Sequence, residues 1–192
     1  NFPELHDDAV LIRDQADRCG NILNSMGGAG KDDLQMHQTL LAEIIREAAE
    51  PHSQRGVTIE TKISDGHKGG IDEPYIIRRP EIIHGLRNMI QNAVDFATSK
   101  VWVESSWTKE SIKITISDDG YGYPPNLLGR LGDPFLGAKI GKENRQGYEG
   151  MGLGLFIAKT LLERTGAKIS FSNGHRNQTS PHSQSTPSGA IV

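Results

Sequence analysis

The sequence predicts an α/β fold preceded by a bundle-forming helix, and three observations carry that prediction. From residue 37 onward, segments with apolar residues at helical spacing alternate with short segments of strand-like alternation. Within them, Gly150-Met151-Gly152-Leu153-Gly154-Leu155-Phe156 is a run of alternating glycines that leads straight into an apolar helix. Upstream, Asp118-Asp119-Gly120-Tyr121-Gly122 sets a carboxylate and two glycines at the end of a strand.

Composition bounds the function classes before any motif is considered. The 192 residues are 35% hydrophobic and 23% charged, enough for one well-cored domain and an appendage. A net charge of −3 without a long basic run speaks against nucleic acid as a partner. A single cysteine excludes an intrachain disulfide or a cysteine-based zinc cluster. No apolar run approaches the length of a membrane span, so membrane attachment is expected only through a region outside this chain.

Between residues 4 and 26 the apolar positions Leu5, Ala9, Ile12, Ala16, Cys19, Leu23 and Met26 alternate in spacing as a coiled-coil seam does, flanked by Arg13, Asp14, Asp17 and Arg18. So narrow a stripe calls for a partner helix, from a second copy of this chain or a neighbouring helix, although packing on its own domain also accommodates it. Cys19 lies on that seam, where burial as a small hydrophobe is its ordinary role. Gly27-Gly28-Ala29-Gly30 ends the helix and opens a polar linker, which sets a domain boundary between 1–30 and 31–192.

Leu40, Leu41, Ile44, Ile45 and Ala48 predict an amphipathic helix over 37–49, ending near Pro51. Residues 57–63 alternate as a half-buried strand, and 75–79 are expected to pair with it. Pro80 opens the next helix at its favoured first-turn position, with Ile83, Leu86, Ile90, Ala93, Val94 and Ala97 as its apolar stripe. Strands follow at 100–106 and 111–117 around a polar turn. The glycine-rich segment 131–149 is long enough to be a lid and carries Lys139, Lys142 and Arg145. A helix at 152–165 capped by Gly166, a strand at 167–172, a polar loop at 173–188 and a last strand from 189 complete the reading.

Three features suggest a ligand. Alternating glycines leave backbone amides uncovered at the positive end of the following helix, an arrangement suited to an anion, although such a turn also occurs with no ligand. Asn88 and Asn92 lie one turn apart on one helix edge, with His84 a turn before. Carboxamide oxygens are hard donors suited to Mg²⁺, yet taken alone the pair also reads as solvent-facing. Asp118 could accept a hydrogen bond from an exocyclic amine while a flat ring slides over the glycines, and an Asp-Gly turn is the bland alternative.

In this order the motifs resemble the catalytic, ATP-binding part of two-component sensor histidine kinases of the GHKL ATPase superfamily. Residues 84–97 resemble the family's N box, Asp118 to Gly122 its first glycine box, Asp133-Pro134-Phe135 its F box, and Gly150 to Leu155 its second glycine box. Gln15-Ala16-Asp17-Arg18-Cys19 and Asn92-Ala93-Val94-Asp95-Phe96-Ala97 resemble the redox-responsive RegB/PrrB branch. The resemblance implies a two-layer α/β sandwich that binds ATP and Mg²⁺ between helices and lid. It implies that Asp118 reads the adenine amine beside Gly120 and Gly122, that Asn92 ligates Mg²⁺, and that Asn88 lines the γ-phosphate end. Gly150, Gly152, Gly154 and Leu155 would give backbone contacts to phosphate, Lys139 would be the lid cation, and Cys19 would be a redox-responsive position.

The chain also departs from the family. Asp95 and Phe96 stand where many members have lysine and tyrosine. No phospho-acceptor histidine box is present, and neither His6 nor His84 substitutes for one. The helix at 4–26 is therefore expected to be the second helix of a dimerisation hairpin in a longer parent. That parent would be a homodimeric bacterial inner-membrane protein, with this part cytoplasmic and a response regulator as its partner. The alternatives are another superfamily member such as an anti-sigma-factor serine kinase, which would not need the bundle helix, or a degenerate nucleotide-binding or dimerisation module.

Overall fold

A computed structural model describes residues 38–64, 71–134, 153–174 and 189–192. The expected bundle helix at 4–26 with Cys19, the linker after it, Phe135, the lid residues Lys139, Lys142 and Arg145, and Gly150 and Gly152 all lie outside the described residues.

In chain order the elements are β1 (Gln38–Leu40), α1 (Leu41–Ala49), β2 (Thr58–Ile63), β3 (Tyr75–Ile77), α2 (Pro80–Phe96), β4 (Lys100–Trp107), β5 (Ile112–Asp118), α3 (Gly154–Glu163), β6 (Ser172–Asn173) and β7 (Ala190–Ile191). Five strands form a mixed sheet in the order β2-β4-β5-β7-β6. β2 runs parallel to β4, and the remaining neighbours are antiparallel. The helices share one core with the inward side chains of the sheet, among them Val101, Val103 and Ile116, so the fold is the expected two-layer α/β sandwich.

Each helix forms for a reason visible in its own residues. Leu41, Ile44 and Ile45 of α1 are 0–1% exposed, and burying each contributes roughly 2 kcal/mol. No side chain of its own caps α1. Instead Leu41 N–H donates to the Pro74 carbonyl at 3.2 Å and Ala42 N–H to Glu73 Oε1 at 2.6 Å, so a segment distant in sequence satisfies its first donors. Pro80 occupies the first turn of α2, and the helix stops at Ala97, whose backbone is extended. The small Gly85 lets α2 and α3 approach closely, since a Cβ there would stand 2.5 Å from Leu162 Cγ. Gly166, at φ +90°, closes the end of α3, and Ala167 N–H returns to the Leu162 carbonyl at 3.2 Å.

Three sequence expectations are corrected. The helix expected over 37–49 starts at Leu41, because residues 38–40 are drawn into an antiparallel pair with β3. The strand at 75–77 therefore pairs with β1, not with the 57–63 segment, which lies parallel beside β4 instead. The strand expected over 167–172 is confined to Ser172–Asn173. Alternation predicts that a segment is extended, but the partner that completes its ladder comes from elsewhere in the chain.

The register of β5 positions the site. Ile116 faces the core opposite Val103, and side chains two apart along a strand share a face, so Asp118, opposite Val101, is carried to the helix side of the sheet end.

Candidate functional site

Asp118 is 1% exposed, and its two carboxylate oxygens are used differently. Oδ1 accepts from the Gly120 N–H at 2.8 Å and from the Ala190 N–H at 3.2 Å. Oδ2 has no hydrogen bond among the described residues. Burial raises the carboxyl above its ordinary range, the two N–H donors partly oppose that rise, and the neighbouring Asp119 charge adds to it. A buried carboxylate with one anchored and one free oxygen is a directed acceptor for a ligand N–H.

The motif's second aspartate has a different task. Asp119 accepts from the Thr98 N–H at 2.8 Å, the Ser99 N–H at 3.0 Å, the Ser99 hydroxyl at 2.6 Å and the Lys100 N–H at 3.1 Å. Burial acts to raise this carboxyl, and these donors outweigh it and hold it below the ordinary range. Asp119 thereby pins the turn between α2 and β4 to the end of β5.

The glycines of this motif are demanded by the protein itself. A Cβ at Gly120 would overlap the Phe96 carbonyl oxygen, and Gly122 sits at φ +77° with the Asn173 amide against it. Gly189, just before β7, has no room for a Cβ beside Asp118 Oδ1. Gly154 differs, for a Cβ there would meet nothing within 4 Å among the described residues. It opens α3, whose N-terminus has no side-chain cap among the described residues and no acidic residue in its first turn, so among the described residues nothing takes up the positive end of the helix. Leu155 is half-buried and packs against the core.

Asn88 and Asn92 are half-buried on α2, and their carboxamides make no hydrogen bond among the described residues. Phe96 follows Asn92 by one turn, and its carbonyl lies against Gly120, so this helix edge leads to the strand end that carries Asp118. Asp95 pairs with Arg55 at 2.9 Å. Asp133 of the F-box match is exposed, and Leu131 near it is buried. Among the described residues no group of three or more His, Cys, Asp or Glu could hold a metal ion. Neutral carboxamides such as those of Asn88 and Asn92 are of a kind that suits a hard cation retaining waters and phosphate oxygens.

Sequence reasoning missed Asn173, Gly189, Ala190 and the structural use of Asp119. A glycine followed by an apolar strand was the only signal for Gly189, and nothing local marks Asn173.

Residues 78–190 match the histidine kinase-, DNA gyrase B- and HSP90-like ATPase family. The chain belongs to this ATPase family. The chain is 58% identical over 193 aligned residues to the sensor histidine kinase RegB of Cereibacter sphaeroides, an alignment that spans 99% of this chain and 42% of RegB. It therefore spans less than half the length of that relative. Among solved structures, full-length ShkA in complex with AMPPNP aligns at TM-score 0.62 and 20% identity, over 98% of this chain and 37% of that one. The mycobacterial sensor histidine kinase MprB aligns at TM-score 0.57 and 19% identity, over 81% of this chain and 93% of that one. These two establish the fold. The resemblance read from the motifs, the two-layer sandwich and the ATPase class thus agree with the comparisons.

Proposed function

We propose that this chain is the ATP-binding catalytic part of a sensor histidine kinase. It takes ATP with Mg²⁺, transfers the γ-phosphoryl group to a histidine on a dimerisation hairpin, and so supplies phosphoryl for relay to a response-regulator aspartate. The observation that carries this reading is Asp118, buried at a strand end with one oxygen anchored by backbone and the other free for the adenine amine. The 58% identity to RegB across nearly the whole chain supports the kinase assignment, and a homodimeric parent with a membrane-attached N-terminal region follows from the same reading. Among the described residues no helix is long and apolar enough to cross a membrane.

In this scheme Asp118 Oδ2 accepts from the base, and the ring lies over the Gly120–Gly122 backbone. Asn92 holds Mg²⁺ by its carboxamide oxygen, with Asn88 beside the γ-phosphate. Mg²⁺, when bound, neutralises charge on the phosphates. The N-terminal amides of α3 at Gly154 and Leu155 meet the phosphate chain, joined by Gly150, Gly152 and the Lys139 cation from the segment before them. In transfer, the bond between the γ-phosphorus and the bridging oxygen breaks, ADP leaves with that electron pair, and an imidazole nitrogen forms the new bond to phosphorus. Positioning and charge neutralisation carry such a reaction.

Phosphoryl transfer to a separately supplied hairpin bearing the acceptor histidine tests the proposal. An acid-labile, base-stable label on the hairpin is expected, formed slowly because the two pieces meet without a tether. No label on the hairpin, with intact ATP binding, would reduce the chain to a nucleotide-binding module.

A further inference from the structure

The base-reading segment 118–123 is gripped from the far edge of the sheet by two short strands that arrive much later in the chain. On β6, the Asn173 side chain accepts from the Tyr123 N–H at 2.7 Å and donates to the Tyr123 carbonyl at 2.8 Å. One amide thus satisfies both backbone groups of a residue outside the ladder, as a strand partner would. The same amide lies against Gly122, where a Cβ would be 2.8 Å from Asn173 Oδ1. Just before β7, Gly189 N–H donates to the Asp118 carbonyl at 2.9 Å, and the next N–H, of Ala190 on β7, reaches Asp118 Oδ1. The two strands are tied together, since Gly174 N–H donates to the Gly189 carbonyl at 2.8 Å.

We infer that Asn173 and Gly189 are positioning residues that set nucleobase specificity, by fixing the direction in which Asp118 presents its free oxygen. The inference rests on the nucleotide reading above and assigns the cause of its base preference. The terminal torsion of an aspartate is broad, so without fixed donors the carboxylate would rotate. The donors that stop it are the Gly120 and Ala190 N–H groups. Gly189 permits the second because any side chain at that position would push β7 away from Asp118, and Asn173 holds the loop that follows Gly120. With Oδ1 committed, Oδ2 has one direction left. Adenine offers an amine N–H to an acceptor so placed, whereas guanine offers a carbonyl oxygen at the corresponding ring position and is repelled. Neither residue touches the phosphates in this scheme, so their effect is confined to the base.

Calorimetric titration of the wild-type chain, Asn173→Ala and Gly189→Ala with ATP, GTP and inorganic tripolyphosphate, each with Mg²⁺, tests the assignment. Asn173→Ala should lower ATP affinity about tenfold, the size expected for losing one well-placed hydrogen bond from the base to Asp118 Oδ2. The ratio of ATP to GTP affinity should fall by the same factor and tripolyphosphate binding should be unchanged. Gly189→Ala should do the same more strongly. If Gly189→Ala does not fold, Asn173→Ala carries the test, because it removes a half-buried amide without adding bulk. A merely structural defect would lower the number of competent sites and leave the affinity ratio intact. An ATP-to-GTP ratio in Asn173→Ala equal to that of the wild type overturns the inference while leaving the nucleotide site standing. A wild-type chain that does not prefer ATP over GTP overturns both.

Discussion

The backbone carbonyl of Phe96, the last residue of α2, lies directly against Gly120, so closely that any side chain at position 120 would overlap it. At this approach the helix edge that carries Asn88 and Asn92 meets the strand end that carries Asp118. The same Cβ would also stand 2.9 Å from Asp118 Oδ1.

Gly120→Ala should therefore cost stability and binding together. Backbone cannot yield as a flexible side chain does, and overpacking of this kind destabilises by about 2 kcal/mol. Urea denaturation should show a lowered midpoint with an unchanged slope, and ATP binding should be lost at concentrations where the variant is still folded. A variant with wild-type ATP affinity would show that the docking of α2 on this strand end is not needed for the site.

Asp118→Asn keeps the shape of the side chain but replaces one acceptor oxygen with a donor. ATP affinity should drop about tenfold or more, while tripolyphosphate with Mg²⁺ binds as before. Equal loss for both ligands would remove the base assignment. Because burial raises the Asp118 carboxyl above its ordinary value of 3.8, ATP affinity in the wild type should decline on acidification at a pH above that value, as the carboxylate becomes protonated. Asp118→Asn should lack this decline.

Asn92→Ala should act through the metal. Loss of the carboxamide oxygen should leave the weak metal-free binding of ATP unchanged and reduce the gain in affinity that Mg²⁺ brings. Titrations with and without Mg²⁺ check this, and an equal loss in both would assign Asn92 to the nucleotide and not to the ion.

Asp119→Ala leaves the N–H groups of Thr98, Ser99 and Lys100 without their shared acceptor, which should lower stability by about 2 kcal/mol. The folded-state carboxyl lies below its ordinary value of 3.8, so the unfolded chain binds more protons there. Stability from this group is complete above that value and lost as the pH falls through the depressed one. Chemical denaturation between pH 3 and 6 should show a shallower acid loss in Asp119→Ala than in the wild type.

His52 predicts a second pH dependence nearer neutrality. It is 6% exposed with neither ring nitrogen hydrogen-bonded among the described residues, and burial lowers its pKa below 6.5, aided by the Arg55 charge and opposed by Asp95. The unfolded chain therefore takes up protons first, and stability should fall as the pH drops below 6.5. His52→Leu should flatten that part of the stability profile. An unchanged slope in the variant would place the titrating group elsewhere.

Features that depend on neighbouring residues are legible in the residue order. Pro80 and the spacing of Ile83, Leu86 and Ile90 define α2 almost to the residue, because an apolar stripe and a fixed φ are properties of consecutive positions. The alternation in β4 and β5 places their inward faces for the same reason, and Gly166 marks the end of α3. Asp118, Asn88, Asn92 and Gly154 stood out as candidates because each carries chemistry unusual for its place on an element. Which segments meet is set by the packing of the whole domain. β3 pairs with β1, β2 lies parallel beside β4, Asp119 collects the donors of the turn after α2, and Asn173 and Gly189 grip the segment from Asp118 to Tyr123. Strand partners and backbone acceptors of this kind leave no period in the sequence. Any extended segment offers the same N–H and C=O groups, and only the packing of the two layers selects which of them come within hydrogen-bonding distance.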